Sequence, residues 1–238
     1  MTQLDVRLLV GLRGPDLVAT TARLALVQKM GFADRLLALE RYDFFHMTVA
    51  GEDGASVLID ALQKTLARQS TFYNRNKHMY SLECRWNGQS RTDGPSHHDL
   101  HARFGHALGN AGAPAGRAGE APAIDFNGKG AGKVDTVKES PAFLVEAVVE
   151  DDDSAGRDGI AAKLTRELSG MLGRTVTVTC PSRATVWWLG IAARDEAAAM
   201  DTAKQITVTK RRDAGLLMNP NYQRAEFVSA GRIGPGHS

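Results

Sequence analysis

The sequence is short of the features that announce a compartment or a partner. It has two cysteines in 238 residues, Cys84 and Cys180, and neither sits in a Cys-x-x-Cys pair. A disulfide framework is excluded, so a reducing compartment is the simplest expectation. Charge of one sign is also lacking. Against 29 Lys and Arg stand 27 Asp and Glu, a net charge of +2, without the basic excess that marks nucleic-acid or membrane-surface binders. No window approaches the ~18–20 continuous apolar residues of a bilayer crossing, and the N-terminal apolar run is interrupted by Asp5, Arg7 and Arg13. The expectation is a cytoplasmic chain with no membrane partner.

Large apolar residues are scarce from Gly88 to Glu139, where Gly, Ala, Pro and Ser dominate. Such a stretch offers too little apolar surface to offset the entropy of ordering it. Residues 88–140 are therefore expected to be a flexible Gly/Ala-rich linker, with at most one short helix at 98–108. On either side lie two stretches of similar size, 1–87 and 141–238.

Both stretches carry the same order of patterns. In the first, alternation over 4–10 predicts a strand, and Asp16 caps a helical face that Gly31 ends. Two short strands follow at 35–39 and 43–49, then a helix at 56–68 and a strand at 78–86. In the second, a strand at 142–149 leads to a helix at 156–171 and two strands, 175–179 and 184–192, split by Pro181-Ser182. A helix at 194–206 and a strand at 225–229 close it. Each stretch ends on the same detail: Phe72-Tyr73-Asn74-Arg75-Asn76 in one, Leu217-Met218-Asn219-Pro220-Asn221 in the other. Two apolar residues followed by Asn-x-Asn at equivalent places point to internal duplication. The expected fold is α+β: two ferredoxin-like β-α-β-β-α-β halves with antiparallel sheets. Apolar residues occur at both strand parities, so the sheet face without helices also needs a cover, from the other half or from another chain.

The segment Gly31-Phe32 through Val49 resembles the small PurS subunit of phosphoribosylformylglycinamidine (FGAM) synthase, which has Gly-Phe after its first helix and then two strands. Leu216-Leu217-Met218-Asn219-Pro220 is similar to the Leu-Leu-x-Asn-Pro before that family's last strand. The resemblance implies a tandem PurS-like chain acting as a non-catalytic bridging subunit between an amidotransferase and a glutaminase in purine synthesis. Its implied partners are the other subunits of the enzyme complex, with self-association through sheet faces as a further route. It implies no cofactor.

No catalytic constellation stands out. Cys180 and Ser182 lack a nucleophile-elbow context, and Gly128 to Lys133 does not match a phosphate loop. The sheet strands lack the basic-glycine-aromatic signature of an RNA platform. The densest cluster is Ser96-His97-His98-Asp99-Leu100-His101-Ala102-Arg103-Phe104-Gly105-His106. On a helix His98 and His101 would share a face, with His97, Asp99 or His106 completing a metal site. This gives the alternative function, a small metal-dependent enzyme or binding protein. The blander reading of the same stretch is solvated linker. Partner-interface candidates are Trp187 and Trp188, which point to opposite faces of a strand, the basic Arg211 and Arg212 beside Lys210, and Asn219. Asn74, Asn76, Asn219 and Asn221 also suit turns.

Overall fold

A computed structural model describes residues 1–68, 72–74, 76–111, 141–151, 153–209 and 215–233. They form β1 (Thr2–Leu12), α1 (Leu17–Lys29), β2 (Leu36–Gly51), α2 (Ala55–Arg68), β3 (His78–Trp86), β4 (Gln89–Asp93) and α3 (His97–Ala111). Then come β5 (Ala142–Asp151), α4 (Ser154–Leu172), β6 (Val176–Ala192), α5 (Glu196–Thr207) and β7 (Gln223–Ile233). The fold is mixed, with five helices and one large antiparallel sheet among the described residues. The strands lie in the order β4-β3-β1-β2-β6-β5-β7.

Local chemistry explains the helix starts. Asp16 accepts hydrogen bonds from the amides of Val18 and Ala19, and Asp153 and Asp195 do the same for Gly156 and Ala198. Each satisfies donors that a helix leaves open at its first turn. Gly173, at φ +65°, closes α4 in the left-handed conformation that glycine adopts without strain.

Two pairs of expected short strands are each one long strand. Residues 35–39 and 43–49 belong to the single β2, whose intervening polar residues are strand side chains with partners. Arg41 donates to Asp16 at 2.9 Å, and the Tyr42 hydroxyl donates to Glu40 at 2.6 Å. Likewise Pro181 does not split β6. Pairing passes from His46↔Ser182 to Thr48↔Thr179, which places one extra β6 residue at Cys180-Pro181. A bulge accommodates a residue that has no N–H to give to the ladder.

β2 and β6 pair with each other along almost their whole length. Helices α1, α2, α4 and α5 lie over one face of this continuous sheet, in two clusters that each draw on both ends of the chain. Leu58, Leu62 and Leu66 of α2 share a core with Leu164 and Leu168 of α4, over β1, β3 and the start of β6. Ala19, Ala22 and Leu26 of α1 share the other with Ala199, Ala203 and Ile206 of α5.

The opposite face is covered by α3, which lies inside the stretch expected to be linker. Its Leu100 and Phe104 are buried against Leu9, Tyr42, Leu144, Val186 and Trp188. β4 also arises within that stretch, in a hairpin whose turn residues Asn87 and Gly88 have φ of +44° and +76°. Positive φ at both positions is what a two-residue hairpin requires. Gly94 then turns the chain from β4 toward α3 at φ +83°, where an added Cβ would lie 2.3 Å from the Tyr80 carbonyl oxygen. Gly94→Ala is therefore expected to cost roughly 1–3 kcal/mol, read as a lowered urea midpoint with early loss of α3.

Candidate metal centre

α3 begins with a capping box. The Ser96 hydroxyl accepts from the Asp99 amide at 3.1 Å, and the Asp99 carboxylate accepts from the Ser96 amide at 2.9 Å. This fixes His97 as the first helical residue, so His97 and His101, four residues apart, share the face turned to the sheet. Leu100 and Phe104 hold that helix down. Beneath it lies Glu146 of β5, on the strand side that also carries Leu144 and Val148.

The three side chains converge. His97 Nε2 lies 3.1 Å from Glu146 Oε1, and His101 Nε2 is in direct ion-pair contact with the same oxygen. One ligand atom from each residue falls within 4.8 Å of the others. The imidazoles stand 4.2 Å apart at their centroids, and the His101 ring meets Trp188 edge-on at 4.5 Å. Trp188 in turn sits on Tyr42 at 4.4 Å, so one side of the cluster is an aromatic wall.

Glu146 is 7% exposed. Burial by itself would raise its carboxyl pKa, but the His101 and His97 imidazoles set against it outweigh that and hold it down to about 2, while Glu146 Oε1 and His101 Nε2 have no geometrically formed hydrogen bond among the described residues. The carboxylate is thus ionised and aimed at two imidazole nitrogens. Two histidines and a glutamate form a donor set suited to zinc, leaving a fourth position for solvent or ligand. A groove of about 490 Å³, lined in part by His97, His98 and Glu146, adjoins the cluster. The His97 side chain is 44% exposed and His101 20%.

Of the histidines expected from sequence, His101 is in the cluster and His98 is exposed on the neighbouring helix face. The His106 side chain lies outside the described residues. His97 takes the place expected of His98, because 97, 100, 101 and 104 form one helical stripe, which Leu100 and Phe104 hold against the sheet. Glu146 was missed: nothing in a β-strand pattern says that a helix 45 residues earlier lies over it.

The interface candidates fall in different places. Trp187 is buried in the core under α1 and α5, and Trp188 is fully buried under α3. Asn219 is exposed, and Arg211 and Arg212 lie outside the described residues. The Asn-x-Asn segments form matching turns. Asn74 accepts from the Asn76 amide at 2.9 Å, and Asn219 accepts from the Asn221 amide at 3.1 Å. Cys84 and Cys180 are buried, and burial pushes the Cys84 thiol up to about 12. Ser182 donates to Glu150. No helix among the described residues is long and apolar enough to cross a membrane.

No family model, curated protein or solved structure matches the chain.

Proposed function

We propose that this protein binds a divalent metal of the zinc class through His97, His101 and Glu146, and presents it to a ligand in the adjoining groove. The observation that carries the reading is the buried Glu146 carboxylate set beneath two histidines one helical turn apart. An ionised carboxylate taken out of water is costly unless a cation or several donors satisfy it. Borderline N/O ligands in this number suit zinc, and such a metal would supply Lewis-acid polarisation to whatever occupies its open position. The chain's own part is to fix the donors: the capping box sets the helix start, Trp188 orients the His101 ring, and Leu100 and Phe104 anchor α3 to the sheet.

After dialysis against zinc and then buffer, the full chain is expected to retain about one equivalent of metal. His101→Ala and Glu146→Gln should each lose it, while His98→Ala should keep it. Retention unchanged in the first two variants, or no retention by the unaltered chain, sinks the reading. A chelator-sensitive rise in thermal midpoint on zinc addition gives a second readout, since binding to the folded state alone stabilises it.

A second reading, that of a non-catalytic bridging subunit built from two fused PurS-like, ferredoxin-like units, rests on a separate observation. The strand orders β3-β1-β2 and β7-β5-β6 repeat about the β2-β6 pair, and the two Asn-x-Asn turns match bond for bond. Purification under mild conditions with the native partners tests it; a chain that always runs alone removes its content.

A further inference from the structure

The groove beside the three ligands changes character along its length. At one end are His97 and Glu146. Val148, Val186, Phe44 and Leu9 follow as an apolar floor, and Arg7 and Arg85 stand at the far end. Register places these residues on one sheet face: Val148 pairs with Val186 and Leu9 with Phe44, while Arg7 lies two residues before Leu9 on β1. From β5 to β1 is three strand spacings, roughly 14 Å, and the pairings Glu146↔Trp188, Trp188↔Glu40 and His46↔Arg7 set Arg7 six residues along the strands from Glu146, so the two ends lie roughly 24 Å apart between backbones. The groove is therefore long enough for a chain or ring with different chemistry at its two ends.

The charges point to the class of occupant. Arg7 and Arg85 are about half-exposed, at 48% and 50% of the side chain, and each is held by one carboxylate: Asp5 at 3.9 Å and Glu83 at 2.7 Å. A guanidinium has five N–H donors, so each keeps donors to spare. Among the lining residues Arg7 and Arg85 balance Glu83 and Glu146. A bound divalent cation would tip the groove to +2, or to +1 when Asp5 behind Arg7 is counted.

We infer that the groove binds an amphiphilic anion whose metal-binding donor lies at His97 and Glu146, whose apolar body rests on Val148, Val186, Phe44 and Leu9, and whose terminal carboxylate or phosphate is read by Arg7 and Arg85. This rests on the metal reading above. The apolar floor selects against a free inorganic anion, and the arginines select against an uncharged lipid tail.

Three hydroxamates that share a zinc-binding head and a straight alkyl body test it by calorimetry on the zinc-loaded full chain. Tetradecanohydroxamate ends in methyl, tetradecanedioic acid monohydroxamate in carboxylate, and 13-phosphonotridecanohydroxamate in phosphonate. At least one anion-terminated probe is expected to bind about ten-fold tighter than tetradecanohydroxamate, and the tighter of the two identifies the oxyanion preferred. Arg7→Gln/Arg85→Gln should erase that gain and leave tetradecanohydroxamate unchanged. Equal affinity for all three probes, or no binding by a chain that holds zinc, overturns the inference alone. A chain that takes up no zinc, measured by atomic emission on the same samples, overturns the metal reading with it.

Discussion

Expressed as separate chains, residues 1–111 and 141–238 are expected to give no cooperative urea transition, and mixing them should restore one. The reason is the sharing of cores across the β2-β6 pair. The cluster over β1 and β3 takes Leu164, Leu168, Val176 and Val178 from the second stretch of chain. The cluster over β5 takes Leu26, Phe32, Leu36 and Leu39 from the first. Fully burying one such side chain contributes about 1.5–3 kcal/mol, so each fragment would forfeit roughly 6–12 kcal/mol. A domain's whole net stability is about 5–15 kcal/mol. Each fragment would also expose β2 or β6 as a long unpaired edge, which invites aggregation. A sigmoidal transition from either fragment alone would show that the shared cores are dispensable.

The strand at His78–Trp86 was legible in the sequence because alternation and its bounding turns agree. β2 and β6 were not legible as single strands, since the charged Glu40-Arg41 interrupts the apolar pattern and Pro181 is turn-like in isolation, and they become strand residues only through tertiary partners or a bulge. β4 was hidden because Gln89-Ser90-Arg91-Thr92-Asp93 carries no apolar alternation, whereas α3 was expected as a short helix at 98–108 but not as the cover of a sheet face. Two local signals nevertheless mark these elements, the Asn87-Gly88 pair of a hairpin and the Ser96-x-x-Asp99 capping box. Both outrank composition because they state a backbone geometry. The choice of His97 over His98 as the partner of His101 follows from the apolar stripe of α3: positions 97, 100, 101 and 104 share one face, and Leu100 and Phe104 turn it to the sheet. Glu146 could not be found in this way. Its placement depends on α3 crossing a sheet face built from both stretches of the chain, and no local pattern encodes that crossing.

Trp188 is where the sheet, α3 and the candidate metal centre meet, and its substitution should have the largest effect of any single residue change. It is fully buried, with Tyr42, His101 and Phe104 rings at 4.4, 4.5 and 6.0 Å. Trp188→Ala is expected to cost about 3–5 kcal/mol in urea unfolding. It should also speed amide exchange over 97–105, because the cavity removes the surface on which Leu100 and Phe104 rest. Trp188→Phe separates packing from polarity. The Trp188 Nε1 hydrogen has no acceptor among the described residues, so phenylalanine forfeits no hydrogen bond and relieves a buried donor. Its cost should stay below about 1.5 kcal/mol, with the amide protection of α3 preserved and zinc retention lowered less than in Trp188→Ala. If phenylalanine proves as damaging as alanine, the indole N–H is bonded in solution and the aromatic wall is not what holds α3. If alanine costs under about 1 kcal/mol, α3 is anchored by Leu100 and Phe104 without the indole, and His101 must be oriented by Glu146 alone.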